Sequence, residues 1–171
     1  MTNRYEFIIV GSQWILGALP NPQPEFKMSM EVDIYARGAE ELSDIIDGNL
    51  GEGSPFHDMN GYYAQGVDST TAKLPRGWEN RLVRVQSERT NGRAGFCLDV
   101  TDLFMSKCHA HRDKDREFNR GLLRHGHVKA ARALALVGDM PVDDAEKQRM
   151  TNRIRRLIKD LQNAGVNLSE G

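Results

Sequence analysis

Phe7-Ile8-Ile9-Val10-Gly11-Ser12, followed about twenty residues later by Met30-Glu31-Val32-Asp33-Ile34-Tyr35, are the two stretches that decide the reading of this chain. The first opens on a continuous run of aromatic and β-branched residues, which predicts a strand buried on both faces. Gly11-Ser12 follow at once, and Gln13-Trp14-Ile15-Leu16 reads as a short helix with Ser12 near its cap, stopped by Pro20, Pro22 and Pro24. A strand that turns into a helix presents free backbone N–H groups and the positive end of the helix dipole, which suits a phosphate, and glycine lets the backbone approach it closely. The plainer alternative is ordinary turn chemistry. The second stretch alternates apolar and acidic residues and predicts another strand, on which Glu31 and Asp33 share one face while Val32 and Ile34 point to the other. Two carboxylates so placed suit a hard divalent cation, Mg²⁺ or Mn²⁺, and the plainer alternative is a half-solvated strand with its acids outward.

Working outward, a helix is predicted from about Ala39 to Ile46, with Leu42, Ile45 and Ile46 inward, and then a Gly-, Ser-, Asp- and Asn-rich loop from Gly48 to Gly61. Tyr62–Val67 and Arg81–Gln86 read as strands, and Phe96-Cys97-Leu98 as a short fifth. Helices are predicted at Leu103–Phe118, Lys129–Leu136 and Asp144–Asn163, the last capped by Asp143 or Asp144. Met150, Ile154, Leu157, Ile158 and Leu161 recur in it at helical spacing. The fold class is therefore α/β (α+β), a mixed sheet flanked by helices with a helical C-terminal part. It is read as one domain over residues 1–171, with a sheet-containing core at 1–100 and a helical part packed on it at 101–171.

The 171 residues can bury a core without disulfides, and the two cysteines, Cys97 and Cys108, make no framework. Charged residues are 27% of the chain and almost cancel to a net charge of −1, so bulk charge gives no case for a general nucleic-acid binder. The N-terminus lacks the layout of a signal peptide and no apolar run reaches membrane-spanning length, so the expected location is cytoplasmic with no membrane partner.

The pairing of a phosphate-type turn with an acid–apolar–acid strand resembles the nucleotidyltransferase superfamily. More closely, the chain is similar to a bacterial family of nucleotidyltransferase-like proteins. The resemblance rests on Gly11-Ser12-Gln13-Trp14-Ile15-Leu16-Gly17, Leu50-Gly51-Glu52-Gly53-Ser54-Pro55-Phe56-His57 and Leu74-Pro75-Arg76-Gly77-Trp78. Asp99-Val100-Thr101-Asp102-Leu103 and the run from Lys107 to Asp115 complete it. It is also similar to transferases of toxin–antitoxin and phage-abortive systems, with Lys107, Ala110 and Lys114-Asp115 matching a helix motif of theirs.

The resemblance implies transfer of a nucleotide from a nucleoside triphosphate to an acceptor hydroxyl on RNA (tRNA included), protein or a small molecule, with an antitoxin-like protein as a further partner. Glu31 and Asp33 would hold the metal, Gly11 and Ser12 the phosphates, and Lys107 would contact triphosphate or acceptor with Arg112 and Lys114 nearby. Asp115 would orient a basic group or the base. A third metal carboxylate is expected from Asp99, Asp68 or Glu88, with Asp99 ranked first because it follows the last predicted strand. Glu31 stands where aspartate is more usual, and any helix that precedes the first strand in relatives is expected to be missing.

The helix reading places Lys107, His111 and Lys114 on one face and makes Asp102 the cap, while a solvated charged face with pairs such as Arg112–Asp115 is the alternative. His109 with His111, and His125 with His127, lack zinc-finger spacing. Arg149, Arg153 and Arg156 form a basic stripe that reads as a solvated face or as a contact for RNA phosphates. The rival function is a catalytically inactive protein of the same fold that acts through a protein partner.

Overall fold

Strand β1 (Glu6–Ile9) pairs on both of its edges, antiparallel to β2 (Glu31–Ala36) and parallel to β5 (Ala94–Cys97). β3 (Tyr63–Gly66) adds parallel to β2, and β4 (Val83–Val85) adds antiparallel to β5, giving the order β3-β2-β1-β5-β4. This computed structural model describes residues 6–12, 23–26, 30–86, 88 and 93–168. Among them are six α-helices, so the mixed α/β class with a helical C-terminal part is the observed one. Two compact units are distinguished: a sheet unit, residues 1–72 and 81–98, and a helical unit, residues 73–80 and 99–171.

In the sheet unit the parallel step from β2 to β3 needs a crossover, supplied by α1 (Ser43–Leu50) and α2 (Pro55–Asn60). α1 packs on β2 and β3 so closely that a methyl on Gly66 would run into the backbone carbonyl of Ser43. The Ser43 hydroxyl in turn donates to the Val67 carbonyl. Ile8, Tyr35, Ala36, Ile46, Ala64, Cys97 and Leu98 form its core. Phe7 and Ile9 are only half-buried, so β1 is less enclosed than its apolar run predicts.

Two local expectations differ from the structure. The helix expected from Ala39 begins as a 3-10 turn, Glu40–Leu42, and becomes α-helical only at Ser43; Ile46 is buried but Ile45 is exposed. The stretch expected as loop from Gly48 contains α2. There Ser54 accepts the His57 N–H (3.2 Å), Pro55 supplies the fixed φ of the first turn, and Gly61 closes the helix in the left-handed region. The expected helix Gln13–Leu16 lies outside the described residues.

The helical unit is built from α3 (Val100–Ala110), α4 (Asp113–Arg124), α5 (Ala130–Leu136) and α6 (Asp144–Asn163). The single helix expected over Leu103–Phe118 is two: His111 adopts φ 54°, which ends α3, and extended Arg112 starts α4. Lys107 and Lys114 therefore do not share a helix face. Asp99, not Asp102, caps α3, taking the Thr101 N–H at 2.8 Å; Asp102 is fully buried in the first turn. Asp143 caps α6 through the Glu146 N–H (2.7 Å), as expected for that position. Leu103, Phe104, Leu122, Met140, Met150, Ile154 and Leu161 make the core, each such side chain contributing about 1.5–3 kcal/mol by leaving water. Residues 73–80 belong with these helices: Leu74 is buried, and the Arg76 N–H donates to the Asp139 carbonyl at 2.9 Å. Among the described residues no helix is long and apolar enough to cross a membrane.

Candidate active site

Gly11 is where β1 runs out, and it is held against β2. The Val10 N–H donates to the Asp33 carbonyl (3.0 Å), extending the β1–β2 ladder past Ile9. Directly beyond, a methyl built on Gly11 would collide with the Asp33 carboxylate and come within 3.1 Å of its Cγ. Any other L-residue at position 11 would displace the carboxylate or the backbone. Ser12, half-buried, continues the turn.

Glu31 and Asp33 sit in β2 opposite Tyr63 and Gln65 of β3, and both are half-buried. Their negative field reaches Tyr63. Burial first, and then the charges of Glu31, Glu52 and Asp33, push the Tyr63 phenol above its ordinary value. Glu52 and Tyr63 were not singled out from the sequence. The Ser54-Pro55 start signal would have placed Glu52 in the turn before α2, where His57 reaches back. His57 Nδ1 accepts the Gly53 N–H at 3.0 Å, so the neutral ring carries its proton on Nε2, and the ring lies 4.9 Å from that of Tyr63.

The donor set of Glu31 and Asp33 is all hard oxygen, and glycine at position 11 leaves the Asp33 carboxylate its room; both features fit a hard divalent cation. Within the sheet unit, the described residues hold no group of three His, Cys, Asp or Glu side chains that could bind a metal ion together. Of the expected third carboxylates, Asp68 turns onto Thr70, whose hydroxyl and N–H donate to it at 2.6 and 2.7 Å and hold it below the ordinary carboxylate range. Glu88 is exposed. Asp99 belongs to the helical unit, where its Oδ1 takes the Arg132 guanidinium (3.0 Å) as well as the cap hydrogen bond.

The basic residues expected at the site also lie in the helical unit. Lys107 and Asp115 are buried together. Lys107 Nζ lies 3.2 Å from Asp115 Oδ1 and 4.6 Å from the centre of the Phe118 ring. The second oxygen, Oδ2, accepts from Arg112 Nε at 2.6 Å and from the Arg112 backbone N–H at 3.3 Å. Burial pushes the Asp115 carboxyl up, but the hydrogen bond from Arg112 and the charge of Lys107 more than reverse this and hold it below its ordinary range. Burial lowers the Lys107 ammonium against the pull of Asp115. One carboxylate thus ties the end of α3 to the start of α4. Arg112 and Lys114 are exposed.

No curated protein and no solved structure matched the chain. Residues 1–163 match the family described as "Nucleotidyltransferase of unknown function (DUF6036)". With its mixed sheet and its glycine turn set against an acidic strand, the chain belongs to that nucleotidyltransferase family.

Proposed function

We propose that the protein is a metal-dependent nucleotidyltransferase that moves a nucleoside monophosphate from a nucleoside triphosphate to an acceptor hydroxyl on RNA, protein or a small molecule. The observation that carries this reading is the placement of Gly11 against the Asp33 side chain, with Glu31 two residues away on β2. Gly11 and Ser12 bind the β- and γ-phosphates through backbone N–H groups and the hydroxyl. Glu31 and Asp33 would hold Mg²⁺ or Mn²⁺, which when bound neutralises phosphate charge and makes the acceptor oxygen a better nucleophile. The acceptor hydroxyl gives up its proton to solvent and its oxygen forms a bond to the α-phosphorus as the bond to the bridging oxygen breaks, and pyrophosphate leaves with the electron pair.

The test is transfer of label. The purified protein is incubated with each α-labelled triphosphate, Mg²⁺ and fractionated cell RNA or protein. Labelled acceptor formed by the wild type and not by Asp33→Asn supports the reading. Equal labelling by both contradicts it. A second reading, a non-catalytic member of the fold that works through an antitoxin-like protein partner, is favoured by a carboxylate pair, not a triad, among the described residues of the sheet unit. It predicts a tight protein complex and no labelled acceptor.

A further inference from the structure

The helical unit contains a groove of about 370 Å³, in the size range of small-ligand sites, walled by the end of α3, one face of α4 and one face of α6. Five of its lining side chains are Lys or Arg and two are acidic, in a chain whose net charge is −1. The concentration follows from helical spacing. Arg116 and Arg120 are four apart on α4, and Arg153 and Arg156 are three apart on α6, so each pair shares a face.

Part of this charge is already matched. Arg153 donates to the Cys108 carbonyl (3.1 Å) and to Glu146 (2.8 Å), and Arg116 donates to Asp113 (2.8 Å). Arg120 differs: its Nε is shut off from solvent and meets no acceptor among the described residues. Asn119, beside it in the lining, gives its amide N–H to the Phe104 carbonyl (3.0 Å), but its Oδ1 is buried without a donor. A permanently charged guanidinium that hides a donor, and an amide that hides an acceptor, are costly features unless a further molecule completes them. His111, also in the lining, reports the same field. Burial first, then Arg153 and Arg116, hold its imidazole below the ordinary value.

We propose that this groove binds a small phosphate monoester carrying its own hydrogen-bond donors, of the chemical kind of a nucleoside monophosphate. The phosphate meets the guanidinium forks of Arg120 and Arg156, which match its oxygens in pairs. A hydroxyl or amino group of the ligand serves Asn119 Oδ1 and the acidic members of the lining, Glu117 and Asp160. Those two carboxylates also favour a compact ligand over a continuous nucleic-acid backbone, whose successive phosphates they would repel. All the lining residues belong to the helical unit, so this inference does not depend on the carboxylate pair of the sheet unit.

The test is calorimetric titration of the full chain with adenosine 5′-monophosphate, inorganic phosphate and a short RNA lacking terminal phosphates. It is run in the presence of a chelator, so that no divalent cation is available to Glu31 and Asp33. Saturable binding of the monophosphate, weaker binding of phosphate alone, and a loss of about tenfold or more in each of Arg120→Gln and Arg156→Gln are expected, from the worth of one charge-assisted hydrogen bond. Arg156 is exposed on α6, so its replacement leaves the fold intact, which an unchanged melting temperature checks. Absence of saturable binding, affinity unchanged in both variants, or tighter binding of the RNA than of the monophosphate would each overturn the assignment. None of these outcomes bears on magnesium-dependent triphosphate binding.

Discussion

Gly11 Cα and the Asp33 side chain are in such close register that a methyl group cannot be added to the one without striking the other. The strand pairing enforces this, since the Val10 N–H is bonded to the Asp33 carbonyl at 3.0 Å and leaves no freedom for the next residue to move away. Gly11→Ala is therefore expected to cost about 1–3 kcal/mol of folding stability through local overpacking. It should also weaken triphosphate binding by more than its effect on stability explains, because it moves a proposed metal ligand. Chemical denaturation and calorimetry on the same preparations check both, and an alanine variant with unchanged stability and binding contradicts the account.

Asp115 holds Lys107 and Arg112 together from a fully buried position. Asp115→Ala removes the carboxylate that pairs with Lys107 in the interior and is expected to cost about 3–5 kcal/mol. A paired replacement, Lys107→Met with Asp115→Leu, should recover most of that loss. The pH dependence follows from the lowered Asp115 value. Its stabilising contribution is present above the ordinary aspartate range near pH 4, and is lost as pH falls through the lower folded value. Lys107 acts with the opposite sense at the other end: its buried charge is a cost at neutral pH that eases as pH rises toward the ordinary lysine value. Denaturation midpoints between pH 2 and 6, wild type against Asp115→Asn, read the first effect (roughly the acid side of the aspartate range).

Much of this fold was legible because its signals are local. The apolar run Phe7–Val10, the acid–apolar alternation of β2 and the Asp143-capped amphipathic α6 each specify their element through residues close in sequence. The failures have physical causes too. The break between α3 and α4 depends on His111 in a left-handed conformation that a non-glycine residue rarely adopts, and on Asp115 rewarding the turn with four hydrogen bonds. No helical period betrays it. Helix α2 was hidden by composition: Gly, Ser, Asp and Asn suggest loop, yet Ser54-Pro55 and Gly61 are a start and a stop.

The site was legible in a similarly uneven way. Glu31 and Asp33 share a face by strand alternation alone, whereas the approach of Glu52 to the same phenol depends on the crossover from β2 to β3 and could not be read from spacing.

Tyr63 offers a direct reading of that acidic field. Replacing Glu31 by Gln or Asp33 by Asn should lower the phenol's pKa toward its ordinary value, and so should saturating Mg²⁺ if it binds at the pair. NMR or ultraviolet titration of the tyrosinate, with and without the cation, checks this. A Tyr63 titration that ignores both substitutions contradicts the placement of the carboxylates around it.

Cys97 and Cys108 are buried, and burial pushes their thiols up to about 11 and about 12. Neither should react with a disulfide reagent at pH 8 in the native protein, and both should react in denaturant. Because the unfolded thiols ionise first, these two groups also make the protein less stable as pH rises above about 9. Rapid native labelling of either thiol contradicts the burial assigned to it.

The central claim is that the Gly11 turn and the Glu31–Asp33 strand form one magnesium-dependent triphosphate site, and calorimetric titration with each nucleoside triphosphate tests it most directly. The wild type with Mg²⁺ should bind at least one triphosphate saturably, and chelation or Asp33→Asn should abolish that binding. Triphosphate affinity that is indifferent to both magnesium and Asp33, or no triphosphate binding at all by the folded protein, would contradict it.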